Sequence, residues 1–296
     1  MKKRHFGLIG FPVGHTMSPF IHGELFRLAG IDADYTVFSV SPEGLAQPEE
    51  KERLLGLDGF NVTIPHKQAV MTLLGKIDEK AAAFSSVNTV KNENGCLCGF
   101  TTDGEGFQKS LRAAGIPMGG KNLILGSGGV SRVMAFELAD AAYFPDLTIC
   151  VRESGLSSAR KLADTLTEHL RREQKDFLVR VCRYDELDPA ESYDLAVNGT
   201  PAGMHPNTHT IPPLPAELYQ NISAVFDAVY NPEDTLFLQT ARRAGAVAVG
   251  GMDMLVWQAA AAQRIWYGAE FDPQRVAEIS RSAILEMNRM FGGAKE

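Results

Sequence analysis

Short apolar runs recur along the chain, each ending in polar or glycine-bearing turns, and most are followed by residues at helical spacing. The first, HFGLIG, reads as a strand to Ile9, passes Gly10, Pro12 and Gly14, and enters a helix near Ser18 and Pro19. Serine at the N-cap and proline at the first helical position suit that start. Tyr35 to Val40 alternates as a second strand, and Gly44 to Leu55 reads as helical. LDGFNVTIPHKQAVMTLL then repeats strand, loop and helix. Two such units predict an N-terminal α/β domain with a largely parallel sheet. Ligands of such sheets meet the carboxyl ends of the strands, where Asn61, Thr63, His66 and Lys67 fall.

In AAAFSSVNTVKNENGCLCGFTTDGEGF, Asn88 and Thr89 close a short strand, KNENG makes a hairpin turn, and CLCGF leads to Thr101, Thr102 and Asp103. A helix runs from there through Phe107 and Leu111 to Gly115. KNLILGSGGVS then joins a buried strand to Gly126, Ser127, Gly128, Gly129 and Val130, with a helix after them. LTICVRE, a helix from Ser157 to Glu173, and the strands Phe177 to Val181, DLAVNGTP, AVFDAVYNP and AVAVGG follow. This repetition predicts a doubly wound second domain. MDMLVWQAAAAQRIWYG and a last stretch from Pro273 to Met290 are helical by periodicity.

Composition narrows the picture. At 296 residues and 45% hydrophobic content the chain supplies two cores. Its 36 acidic residues outnumber 29 basic ones and no dense basic run appears, which argues against nucleic acid or an anionic membrane as the partner. The start, MKKRHFGLIG, holds too short an apolar run for a signal peptide or a span, so a cytoplasmic protein is expected. Four scattered cysteines predict reduced thiols and no disulfide framework. Metal is not expected either: Cys96 and Cys98 lack further ligands, and proline breaks the helix that His205 and His209 would need.

Candidate chemistry gathers at the predicted strand ends. The glycine turn lets backbone approach a pyrophosphate and aims a helix N-terminus at it, although Ser131 stands where a third glycine is usual. Thr16 and Ser18 either cap the first helix or face a polar ligand. Lys67 near a helix start is poorly placed for helix stability, so it either meets a ligand or an acidic partner or is a solvated surface lysine. Asp103 is either a cap or a functional carboxylate. After the next strand, Arg152 would attract a 2′-phosphate, whereas Glu153 would accept from ribose hydroxyls and repel that phosphate.

With these residues in view, the chain resembles the shikimate dehydrogenases and the similar quinate/shikimate dehydrogenases over nearly its whole length. The resemblance rests on GFPVGHTMSPFIH, NVTIPHK, SVNT, TTDGEG, GSGGVSR, NGTPAGM, DAVYNPEDT and GGMDMLVWQAA in order. It implies an α/β substrate domain over 1–105, completed by C-terminal helices over 252–296, and a Rossmann-like dinucleotide-binding domain over 106–251. It implies Lys67 and Asp103 as the catalytic pair, with Thr16, Ser18, Asn61, Thr63, Asn88, Thr102, Tyr230 and Gln258 around the substrate. At the dinucleotide it implies Gly126, Ser127, Gly128, Gly129, Val130, Arg152, Glu153, Asn198, Thr200, Pro201, Val229, Gly251 and Met254.

Two departures qualify what the resemblance implies. Thr16 and Thr101 replace the family's serine and asparagine, so quinate is expected to compete with shikimate. NADP-specific members usually carry Asn-Arg-Thr where this chain has Val151, Arg152 and Glu153, which favours NAD with NADP possible. A sensor that kept the fold without the chemistry is the competing reading, and retention of Lys67 and Asp103 opposes it. A monomer or homodimer is expected.

Overall fold

The structure, a computed structural model, describes residues 3–14 and 16–291. Met1 and Lys2 of the basic start, His15 of the GFPVGHTMSPFIH motif and residues 292–296 of the expected C-terminal stretch lie outside the described residues. The chain forms two compact units, one of residues up to Gly106 together with those from Val256 on, the other Phe107–Leu255.

Elements follow in chain order. The first half contains β1 (Arg4–Gly10), α1 (Ser18–Ala29), β2 (Ala33–Ser39), α2 (Pro42–Leu45), α3 (Pro48–Leu55), β3 (Gly59–Val62), β4 (Lys76–Ile77), α4 (Glu79–Phe84), β5 (Thr89–Glu93), β6 (Cys96–Phe100) and α5 (Asp103–Ala113). Then come β7 (Lys121–Leu125), α6 (Gly129–Ala141), β8 (Asp146–Val151), α7 (Leu156–Arg172), β9 (Leu178–Arg183), β10 (Tyr193–Asn198), β11 (Ile222–Asp227), α8 (Leu236–Arg243), β12 (Val247–Val249), α9 (Met252–Tyr267) and α10 (Pro273–Phe291).

Several sequence expectations shift. The stretch read as one helix from Gly44 to Leu55 is two, because Pro48 lacks the amide a continuous helix needs and instead opens α3. Ser18 is not the N-cap of α1: Met17 is, and no side chain caps it. After Lys67 the chain makes a turn and a short 3₁₀ helix over Ala69–Leu73 rather than an α-helix. Asn88 and Thr89 do not close a strand; Thr89 opens β5.

That last difference organises the first sheet, whose order is β2-β1-β3-β5-β6-β4. β1 pairs parallel with β2 and β3, while β5 runs antiparallel to β3 and β6. The start of β5 therefore lies at the same edge as the ends of β3 and β6, since Asn61 pairs with Thr89 and Thr89 with Phe100. The sheet is largely parallel as expected, with β5 the strand that runs against its neighbours; an all-parallel sheet would have sent Asn88 to the opposite edge.

Aromatic stacking fixes α9 on this sheet. Phe6 stacks on Trp266 with ring centroids 4.5 Å apart, and Trp266 Nε1 donates to the Val90 carbonyl at 2.9 Å. Gly59 leaves the room: a β-carbon there would come within 2.5 Å of Trp266 Nε1.

The second sheet, β12-β11-β10-β7-β8-β9, is parallel throughout. Its strand order reverses between β7 and β10, so the glycine turn after β7 falls at a topological switch point. The core on one face joins Leu123, Leu125, Tyr193, Leu218, Val225 and Phe237. No helix among the described residues is long and apolar enough to cross a membrane, and none of their His, Cys, Asp and Glu side chains cluster in threes to hold a metal.

Candidate active site

At the edge where β3 and β6 end and β5 begins, Lys67 Nζ lies 2.5 Å from Asp103 Oδ2. The Lys67 side chain is 13% exposed and Asp103 only 2%, so a ligand reaches the ammonium while the carboxylate stands behind it. Local structure fixes both. The Val87 amide donates to the Lys67 carbonyl at 2.9 Å, and the neighbouring His66 ring bonds the Val40 carbonyl at 2.7 Å, pinning the turn to the end of β2. Asp103 opens α5, where a carboxylate also suits the helix dipole.

Asn88 is the hub. Its Nδ2 lies 2.8 Å from Asp103 Oδ1, 3.0 Å from Thr102 Oγ1 and 3.0 Å from Gln258 Oε1. Its Oδ1 accepts from the Thr102 amide at 2.8 Å and from the Thr89 hydroxyl at 3.1 Å. A buried amide satisfied on both sides is held in one orientation. Asp103 thus presents one oxygen to Lys67 and the other to Asn88. The arrangement can hold a proton at Nζ against a substrate oxygen while offering amide groups to neighbouring hydroxyls.

Asn61 and Thr102 sit behind this front. Asn61 accepts from the Tyr35 hydroxyl at 2.7 Å and donates to the Asn88 carbonyl and the Thr89 hydroxyl, both at 3.1 Å. Thr102 is buried. Thr16, Ser18 and Thr63 are half-buried at the ends of the β1 and β3 loops. The Thr16 hydroxyl accepts from the Ser18 amide at 3.2 Å and donates to the Ser18 hydroxyl at 3.1 Å, so it supports the Ser18 side chain, which no longer has a capping role.

Tyr35 is a residue that sequence reasoning passed over, because alternation marked it only as a strand position. Its hydroxyl also hydrogen-bonds Ser18, and burial holds it well above the ordinary phenol range. His22 stacks on the Tyr35 ring with centroids 4.3 Å apart and is pushed down to about 3 by burial, against a hydrogen bond to Asn61, so the imidazole is neutral.

In the second unit, Gly126 has φ +97°, and its amide donates to the Cys150 carbonyl at 2.9 Å. A β-carbon at Gly126 would press on Thr200 and Ser131. Ser131 replaces the usual third glycine because Gly199 gives way: a β-carbon at Gly199 would lie 2.2 Å from the Ser131 hydroxyl. Gly128 caps α6 without a side-chain bond, and Gly128 and Gly129 are exposed, so the first amides of the helix face outward. Ser127 and Val130 flank them half-buried, and the Ser127 hydroxyl lies 2.5 Å from that of Ser158.

Asn198 at the end of β10 accepts from the Thr200 amide and hydroxyl at 3.0 and 2.6 Å, shaping the loop toward exposed Pro201. Asn198 in turn donates to Asp227 Oδ1 at 2.9 Å, which also accepts from the Val229 amide at 3.0 Å, while Oδ2 accepts from Thr235 at 2.6 Å. Burial raises the Asp227 carboxyl to about 6, against these three bonds. Asp227 is a second residue missed from sequence; an acid ending a strand beside other functional loops was the available signal. The Gly251 amide donates to the Val229 carbonyl at 3.2 Å, Met254 is buried, and burial raises Tyr230 to about 12. Arg152 and Glu153 lie just past β8, both exposed, with Glu153 paired to Arg183 at 2.9 Å.

Comparison with known proteins gives the family. The family model for the shikimate dehydrogenase substrate binding domain matches residues 8–90. A shikimate dehydrogenase (NADP(+)) of Methanococcus maripaludis is 38% identical over 92% of this chain and 94% of its own length. The chain belongs to the shikimate dehydrogenase family. Members of that family are oxidoreductases built from a substrate domain and a Rossmann-like domain on a nicotinamide dinucleotide. The Thermus thermophilus enzyme, solved with NADP(H) and shikimate, is 32% identical with a TM-score of 0.81, covering 95% of this chain and 99% of that one. The Listeria monocytogenes shikimate 5-dehydrogenase, solved with shikimate and NAD, is 29% identical with a TM-score of 0.81, covering 94% and 96%.

Proposed function

We propose that this protein is a shikimate dehydrogenase, interconverting shikimate and 3-dehydroshikimate by reversible hydride transfer at ring C3. The observation that carries the reading is the Lys67–Asp103 pair locked by Asn88 at a strand edge, in a chain similar to shikimate dehydrogenases along nearly all its length. The substrate belongs to the unit that holds Lys67, the dinucleotide to Phe107–Leu255.

The nicotinamide supplies or takes up the hydride when bound. The protein manages the proton. Lys67 Nζ gives its proton to the C3 oxygen in reduction and takes it back in oxidation, and Asp103 holds the ammonium and accepts from a ring hydroxyl. Asn88 and Gln258 bond ring hydroxyls; Ser18, positioned by Thr16 and Tyr35, and Thr63 receive the carboxylate. Asn61 and Thr102 orient Asn88. Tyr230, half-buried just past β11, is assigned to the substrate by the resemblance alone. The glycine turn from Gly126 to Val130 takes the pyrophosphate through exposed helix amides. Asn198, Thr200, Pro201, Val229, Gly251 and Met254 form the nicotinamide side.

For the dinucleotide we infer dual use. Among the described residues no carboxylate pairs with Arg152, which leaves it for a 2′-phosphate, whereas Glu153 is drawn toward Arg183 and its repulsion is weakened. The relatives' use of NADP supports the first half of that reading and the NAD complex of the Listeria enzyme the second.

The deciding experiment follows dinucleotide absorbance on adding shikimate or quinate with NAD or NADP. Shikimate turns over with both cofactors, and Lys67→Ala loses about a hundredfold or more in kcat with the shikimate KM little changed. Silence with every combination would favour a sensor. Near-normal turnover of Lys67→Ala would remove the lysine from the mechanism.

A further inference from the structure

Behind the glycine turn, β8 and β9 bring two cysteines together. Cys150 and Cys182 are direct partners in the parallel ladder, so their side chains leave the same face of the sheet. Neighbouring strands lie about 4.8 Å apart, inside the Cα separation of roughly 4.4–6.8 Å that a disulfide spans. Cys150 is fully buried. Cys182 is half-buried and sits on β9, the edge strand, which can shift without tearing a second ladder.

A cavity of about 300 Å³ opens on Cys182, lined also by Thr148, Arg180, Glu186, Glu191 and Tyr193. Two of its polar atoms, Thr148 Oγ1 and Arg180 Nε, are buried without a hydrogen-bond partner among the described residues. The two thiols are unequal. A hydrogen bond from Cys150 lowers the Cys182 thiol below the ordinary range, with help from Arg180 and against burial, Glu186 and Glu191. The same hydrogen bond and burial raise Cys150. Elsewhere, burial pushes Cys98 up to about 11, which keeps it protonated.

We propose that Cys182 and Cys150 are a peroxide-sensitive dithiol whose closure to a disulfide weakens dinucleotide binding. The Cys182 thiolate attacks one oxygen of hydrogen peroxide; the S–O bond forms, the O–O bond breaks, and the leaving hydroxide takes up the proton that the Cys182 thiol released on ionising, giving the first water, as the sulfur loses two electrons. Cys150 sulfur then attacks the sulfenic sulfur, the S–S bond forms, and the S–O bond breaks. Its proton goes to the departing hydroxide, so two thiols and one peroxide give one disulfide and two waters.

The link to the dinucleotide runs through both strands. The Cys150 carbonyl holds the Gly126 amide of the glycine turn at 2.9 Å, and Arg183, the residue after Cys182, holds Glu153. Drawing the two strands together moves both attachments. This effect rests on the function proposed above, whereas the crosslink does not.

The test treats the full chain carrying Cys96→Ser and Cys98→Ser with hydrogen peroxide, then maps disulfides by mass spectrometry and titrates NADP and NAD by fluorescence. A peptide joining Cys150 to Cys182 is expected, reversed by dithiothreitol and absent after Cys182→Ser. The dinucleotide Kd rises roughly fivefold in the crosslinked protein, the low end of ordinary coupling between sites, while the shikimate KM holds. Oxidation that stops at sulfinic acid on Cys182, or a crosslinked protein with unchanged dinucleotide affinity, overturns the proposal. The crosslink is read by mass alone, so it stands or falls apart from whether the reduced protein binds a dinucleotide or turns over shikimate.

Discussion

Arg152 and Glu153 show how a two-residue signal depends on what the fold adds to it. In the sequence the pair is ambiguous, and the carboxylate tips it toward NAD because nothing indicates a partner for Glu153. Folding supplies one: β9 is the ladder neighbour of β8, so Arg183 comes beside the end of β8 and takes up Glu153 at 2.9 Å. That partner lies thirty residues away in the chain, beyond the reach of any local motif. Both groups are exposed, so the pair tempers the carboxylate without abolishing it. Arg152→Ala should therefore raise the NADP KM about tenfold, the value of one charge-assisted hydrogen bond set, and leave the NAD KM close to that of the parent. Glu153→Thr should lower the NADP KM. Initial rates over a range of each cofactor decide both, and equal losses for NAD and NADP in Arg152→Ala would remove the arginine from phosphate recognition.

Strands and helices were legible wherever apolar spacing and turn residues agreed. The glycine turn, β7 to β12 and α9 fall close to their expected places because the strands of a parallel sheet are near-continuous apolar runs bounded by polar residues, β9 with Arg180 in its middle being the departure. Strand direction was not legible. Nothing local to TVKNE states that β5 runs against β3, and this reversal is what delivers Asn88 to the edge bearing Lys67 and Asp103. The supporting residues Tyr35, His22 and Asp227 escaped for a related reason: their hydrogen bonds and stacking join separate elements, and periodicity reports only burial. Gly59 carries the same lesson with a measurable outcome. Its missing side chain lets Trp266 lie on β3 and reach the Val90 carbonyl, so α9 and with it Gln258 are seated by a residue on another element. Gly59→Ala should cost about 1–3 kcal/mol through overpacking, with a raised shikimate KM as Gln258 moves off Asn88. Denaturant titration and steady-state kinetics check the two effects, and an unchanged midpoint would show that the indole has room the structure denies it.

The two units should answer acid in opposite ways, because each buries a titratable group of opposite behaviour. His22, in the unit with the catalytic pair, has its folded pKa pushed from 6.5 down to about 3 by burial. Its unfolded form binds a proton as pH falls below 6.5 and its folded form does not, so stability present above 6.5 is lost progressively toward pH 3. At pH 4.5 this amounts to about 3 kcal/mol, at 1.36 kcal/mol for each pH unit below 6.5. Asp227, in Phe107–Leu255, is shifted the other way, from 3.8 up to about 6. Its folded form binds the proton first, so its contribution is largest below pH 3.8, shrinks as pH rises, and is lost above about 6. Lowering pH from 7 to 4.5 returns about 2 kcal/mol to that unit from this group. Hydrogen exchange at the two pH values, corrected for intrinsic rates, should therefore show protection falling in β1, β3 and α9 before it falls in β7, β10 and β11. His22→Gln should flatten the first response, and Asp227→Asn should remove the compensating one, steepening acid loss in the second unit alone. Equal loss of protection in both units, unchanged by either substitution, would mean that the acid response is set by surface carboxylates rather than by these two buried groups.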